Sequence, residues 1–143
     1  MKEKEGLYGT TGYRFSNINY FTNLHRIGWL NGNDNIEEVD IIGHAWFCKK
    51  EWLKYFVNDL PDTNEYKIMG EDLHLSYTLK KYGGIKSYIA KQPVSNLNMC
   101  GSIKGLGYGT EHVAISYLPE SYGNFEKAYN HWVRDLKHRL VNY

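Results

Sequence analysis

The sequence has almost no net charge to offer a polyanion, since seventeen Lys and Arg stand against sixteen Asp and Glu, a formal +1. Without a basic excess there is no long-range field to draw in nucleic acid, and such a partner is disfavoured. Cysteine is equally sparse. Cys48 and Cys100 are the whole complement; they lack metal-type spacing, and Cys48 closes an apolar run where a buried free thiol is ordinary. This usage fits a reducing compartment and a cytoplasmic location. No run approaches the ~18 apolar residues of a membrane span, and the charged start Met1-Lys2-Glu3-Lys4-Glu5 leads into no apolar signal core. There is no internal repeat or low-complexity segment. Gly9 and Gly12 are not followed by the Gly-Lys-Ser/Thr of a phosphate loop. Residues 1–35 also lack the alternating strand and helix patterns of a nucleotide-binding βαβ unit.

What is present describes one soluble domain with a real core, because 143 residues suffice for that but are short for a complete two-substrate enzyme. Aromatic content is high at 15%, with thirteen Tyr. Tyr and Trp join a flat apolar body to a polar handle, which suits sugar rings and fills β-rich cores equally well.

Taken in order, Gly6 to Phe15 mixes β-prone residues with glycines and reads as a strand interrupted by a bulge or close backbone approach. Ser16 to Asn35 is Asn-rich with little periodicity, which predicts a long loop holding at most one short strand. Glu37 to Phe47 is the best strand. Val39, Ile41, Ala45 and Phe47 alternate with Asp40, Ile42, His44 and Trp46, so both faces carry apolar bulk, and a strand covered on two sides implies a layered α/β domain. Lys50 to Leu60 reads as a short helix stopped by Pro61.

The organising stretch runs from Gly70-Glu71-Asp72 to Gly83-Gly84 and is followed by a β-prone segment, Ile85 to Ile89. Leu75, Leu79 and Tyr82 fall at helical spacing from Asp72, which places that carboxylate on the inward face. His74 does not share that face, so no His-Asp dyad forms within the helix. Asp72 has two readings. A first-turn carboxylate complements free N–H groups and the helix dipole, or it is a general base held on a rigid element. Lys91 to Glu111 is a Gly-rich loop that could act as a lid. Phe125, Ala128, Tyr129, Trp132, Val133 and Leu136 make the stripe of a C-terminal amphipathic helix.

Val39-Asp40-Ile41-Ile42-Gly43-His44-Ala45-Trp46-Phe47, then Lys49-Lys50-Glu51-Trp52-Leu53, then Gly70-Glu71-Asp72 ahead of an amphipathic helix, resembles the acceptor-side, C-terminal half of a GT-A-type, family-2-like glycosyltransferase. Gly101 to Gly109 is similar to a glycine-rich stretch of some members. The resemblance runs in order from about Gly6 to the C-terminus. It implies an α/β fold, a mixed sheet with packed helices, and inverting transfer of a sugar from a nucleotide-sugar donor to a hydroxyl of a glycan or other acceptor. In that scheme Asp72 is the catalytic base, and an ordinary Asp is ionised at neutral pH, so only placement matters. Glu71, Gly43, His44 and Trp46 would form the acceptor side.

The resemblance also implies a divalent cation, Mn or Mg, on the leaving diphosphate. The family's Asp-x-Asp ligands are missing, Glu38 and Asp40 read as structural, and His112 is the candidate ligand. With no nucleotide-binding pattern, the chain reads as a single-domain piece that needs an N-terminal half or second chain. The alternative is a non-catalytic module that binds glycans or a protein through the same groove.

Overall fold

A computed structural model describes residues 4–16, 24–60, 70–101, 118–119, 121–137 and 140–141. It is a mixed α/β structure with two three-stranded sheets. Strands β1 (Leu7–Gly9), β4 (Glu37–Val39) and β6 (Ser87–Ile89) form the first sheet in the order β1-β6-β4, with β1 parallel and β4 antiparallel to β6. Strands β2 (Thr11–Phe15), β3 (Leu24–Ile27) and β5 (Ile41–His44) form the second, antiparallel throughout, in the order β3-β2-β5. Helix α1 (Glu71–Gly83) and helix α2 (Ser121–Tyr129) pack beside them. No helix among the described residues is long and apolar enough to cross a membrane.

The N-terminal strand is interrupted as its glycines suggest. It breaks at Thr10 into β1 and β2, and the β2–β5 register slips between Thr11 and Gly12. Among its described residues the Asn-rich segment contributes one strand, β3.

Glu37 to Phe47 is not one central strand. It divides at Asp40 into β4 and β5, each an outer strand of a different sheet. The cause is Asp40 itself, whose buried carboxylate accepts the backbone N–H of Phe15 at 2.8 Å and of Val141 at 2.6 Å. Its own N–H donates to Tyr13 O at 2.8 Å. A side chain tied into both directions fixes the crossing from one sheet to the other. Burial raises the Asp40 carboxyl above its usual range against the pull of those two N–H groups. Removing the acceptor takes a charge-assisted hydrogen bond from each of these two N–H groups, one of them buried, so Asp40→Ala should lower stability by about 2–4 kcal/mol in urea unfolding. A loss below about 0.5 kcal/mol would mean the crossing is held by packing alone.

The two-sided cover expected for this stretch holds where the chain is paired. Ile41 joins a cluster with Phe15, Leu73, Tyr77 and Trp132, while Ile42 joins another with Leu7, Val39, Leu75 and Ile89. It fails at the end, where Trp46 and Phe47 are exposed.

Lys50 to Leu60 makes a 3-10 helix only over Lys50–Tyr55, and none of its residues is buried. Trp52 and Phe56 lean on the second cluster, whereas Leu53 faces solvent. The turn after it is clasped to α1 by Asp59, whose Oδ2 accepts from Lys81 Nζ at 2.7 Å, Tyr77 OH at 2.8 Å and Tyr82 OH at 2.7 Å. Burial works to raise this carboxyl, but the three donors hold it at about 2. This contact also turns Tyr82, expected to face inward, out to 40% exposure.

Helix α1 forms where expected and Gly84 closes it in the left-handed conformation, but it is not one-sided: every residue from Leu73 to Leu79 is buried, the polar His74, Ser76 and Thr78 included. The C-terminal stripe is helical too: Ala128, Tyr129, Trp132 and Val133 are buried, but α2 relaxes into a π-helical turn over Asn130–Asp135. Of the expected Gly-rich loop, 91–101 is described, with a 3-10 turn at Leu97–Met99. Its remainder, including His112, lies outside the described residues.

Candidate active site

Helix α1 is docked so that its first turn stands beside the end of β5. Ser76 Oγ donates back to Asp72 O at 2.8 Å and accepts the N–H of Ile42 at 3.3 Å, which ties the second helical turn to the strand. The helix has no side-chain cap; its N-cap is Gly70, at φ 103°. A Cβ at that position would lie 2.7 Å from Ala128 Cβ and 3.2 Å from Trp132 Cζ3. The glycine of the Gly-Glu-Asp motif is therefore where α2 presses on the start of α1.

Asp72, one residue into the helix, directs its carboxyl toward the chain after β5. Trp46 Nε1 donates to Asp72 Oδ1 at 2.7 Å. The strand's alternation alone would not bring Trp46 there; the chain turns at Ala45, which takes φ 54°. The residue that the resemblance makes the base and one that it puts on the acceptor side thus meet.

The electrostatics of Asp72 differ from the sequence expectation. Burial, then the neighbouring charge of Glu71, raise its carboxyl to about 8, and the Trp46 hydrogen bond offsets only part of this. A carboxyl raised this far is favoured in its protonated form at neutral pH, so Asp72 is not an ordinary carboxylate that merely needs placement. A helix-capping carboxylate has its charged form favoured by free N–H groups and the dipole. Here the charged form is disfavoured, which argues against capping as the role of this side chain.

The other expected residues divide. Glu71 is exposed beside Asp72. Gly43 is a packing position, since a Cβ there would meet Thr11 Oγ1 at 3.0 Å and Tyr13 Cε2 at 3.6 Å. His44 does not join Asp72 and Trp46. Its Nδ1 lies 3.4 Å from Gly101 O, and its ring is 5.7 Å from that of Trp29.

Three residues escaped the sequence reading. Tyr13 on β2 is close enough to feel Asp72: burial raises its phenol, Arg26 lowers it, and the Asp72 charge adds to the rise. Arg26 on β3 lies over Tyr13, 5.6 Å from the ring centroid, and over Trp29 at 5.0 Å. Arg26 and Trp29 sit in the Asn-rich segment, where no periodicity marks them. Only their residue types, a cation beside an aromatic, gave a signal.

Among the described residues no three His, Cys, Asp or Glu side chains gather to hold a metal ion. The cation that the resemblance implies therefore finds no ligand set in this part of the chain. No family model, curated protein or solved structure matches the chain.

Proposed function

We propose that this chain is the acceptor-side half of an inverting, GT-A-like glycosyltransferase, with Asp72 as its general base. The observation that carries the reading is a carboxyl at the head of a rigid helix, raised to about 8 and held by an indole N–H in an aromatic surroundings. A base works best when its pKa lies near the working pH, because the ionised fraction and the proton affinity are then both useful. Capping would require the opposite shift.

The reaction balances simply. The acceptor hydroxyl oxygen bonds to the anomeric carbon of the donor sugar, the bond from that carbon to the nucleoside diphosphate breaks, and the hydroxyl proton passes to Asp72. Trp46, 40% exposed, offers an indole face to a sugar ring while its N–H fixes the carboxyl. Glu71 keeps the carboxyl basic through its charge. The nucleotide-sugar and its divalent cation, Mn or Mg, would be bound by a nucleotide-binding half, supplied by another segment or a second chain.

The exposed Trp46 beside Asp72 would equally serve a module that binds glycans without transferring sugar. Supplying the donor separates the two: the enzyme elongates the bound glycan, and the module only holds it. For the 143-residue chain itself, calorimetry should show nucleotide-sugar binding that is weak or absent even with Mn²⁺ or Mg²⁺. Micromolar, metal-dependent donor binding would contradict the division of labour proposed here.

A further inference from the structure

We infer that Arg26 selects a glycan acceptor carrying an anionic substituent, an inference that rests on the acceptor-side reading above. A cavity of about 320 Å³ opens beside β3, lined among others by Arg14, Arg26, Trp29, Asn31, Asn33 and Glu37. That is the lower end of the range for small-molecule sites and suits one sugar ring with its substituent.

The two arginines in this wall differ. Arg14 is already neutralised, with Nη2 2.7 Å from Glu37 Oε2 and Nε donating to Glu38 O at 2.6 Å. Arg26 pairs with no carboxylate among the described residues. The neighbouring stretch from Asn17 to Asn23 contains no Asp or Glu. Its partners are instead the faces of Tyr13 and Trp29. A guanidinium held over aromatic faces and paired with no carboxylate has its N–H fork to offer a ligand, and that fork takes a carboxylate or phosphate in bidentate fashion.

The wall around it is fixed in advance. Buried Gln92 donates to Thr10 O at 2.6 Å and to Asn33 Oδ1 at 3.2 Å, and Asn33 Nδ2 donates to Ala90 O at 2.9 Å. The strand pairing points from the cavity toward the candidate site: Arg26 on β3 faces Tyr13 on β2 in register and lies over its ring, and Tyr13 in turn is near enough to feel the charge of Asp72. An acceptor lying along Trp29 and Tyr13 would hold its charged substituent on Arg26 while another hydroxyl reaches Asp72.

The test is an NMR titration of the 143-residue chain at low salt, following the Trp29 and Trp46 indole N–H signals. The probes are methyl glucuronide, glucose 6-phosphate, methyl glucoside and uridine diphosphate. The glucuronide or the sugar phosphate should bind at least roughly tenfold more tightly than the glucoside and shift Trp29. Whichever binds more tightly names the substituent. Arg26→Gln, an exposed position that should fold normally, should bring both down to the glucoside level, and Arg26→Lys should recover part of the preference. Equal binding of charged and neutral sugars, or a preference that survives Arg26→Gln, would overturn the inference while leaving the acceptor-side reading standing. Displacement of the glucuronide by uridine diphosphate would also overturn it, by giving this subsite to the donor. If none of the sugars binds, the acceptor-side reading fails with it.

Discussion

Asp72→Asn in the complete enzyme should cut sugar transfer by roughly 10²–10⁴-fold, the usual contribution of a positioned base, while donor affinity stays unchanged. The amide keeps the size of the side chain and can still accept the Trp46 indole N–H, now 2.7 Å from Oδ1, so the contact between α1 and the chain after β5 should hold. Only the proton acceptor disappears. The stability change should have the opposite sign. A carboxyl raised from 3.8 to about 8 on folding is accommodated in its protonated form. Its contribution is complete below about pH 4 and is lost as pH rises through about 8. Asparagine cannot ionise, so the variant should be more stable than the parent at pH 9, on the order of 1–2 kcal/mol after solvent screening of a half-buried group. Near pH 4 the two should melt alike. A variant that is less active only because it is less stable would show the reverse, and one that transfers sugar at the parental rate would reduce Asp72 to a structural residue.

Gly70→Ala should be the most damaging single methyl in the motif. The backbone sits at φ 103°, and the new Cβ would lie 2.7 Å from Ala128 Cβ and 3.2 Å from Trp132 Cζ3. Strain in that region costs about 1–3 kcal/mol, and overpacking a core contact adds about 1–3 kcal/mol more. Urea unfolding should therefore show a loss of roughly 2–5 kcal/mol. Ala128→Gly, combined with it, should return part of the loss despite its own helix penalty of about 1 kcal/mol. If the two losses simply add, α2 does not press on the start of α1 in solution.

The sequence made both helices legible, and at the C-terminus period and burial agree, with Ala128, Tyr129, Trp132 and Val133 buried; in α1 burial runs through every residue from Leu73 to Leu79, because the helix is covered on more than the face its apolar spacing marks. It misled at Glu37 to Phe47, where alternation continues across Asp40 although the chain changes sheets. Nothing in a one-dimensional pattern shows that one carboxylate accepts from both Phe15 and Val141, residues 25 and 101 positions away.

At the site, the Glu-Asp pair could be found from its place at a helix start, and Trp46 from its place after the strand. Their contact depends on the left-handed turn at Ala45, a residue type that does not advertise one. The shifted carboxyl was hidden for a related reason, since burial and Glu71 act together only once the helix is docked. Tyr13, Arg26 and Trp29 form a cluster through strand pairing and a loop, so no spacing along the chain could have joined them.

The central claim is that Asp72 is the base, and the pH dependence of kcat/KM for the acceptor tests it most directly, because this ratio reports the free enzyme's ionisations. A single rise with a midpoint near 8 is expected, matching the raised carboxyl. Glu71→Gln should move that midpoint down by removing a repelling charge, and Trp46→Phe should move it up by removing the hydrogen bond that favours the ionised form. A profile flat from pH 6 to 9, or a rise near 8 that persists in Asp72→Asn, would contradict the assignment.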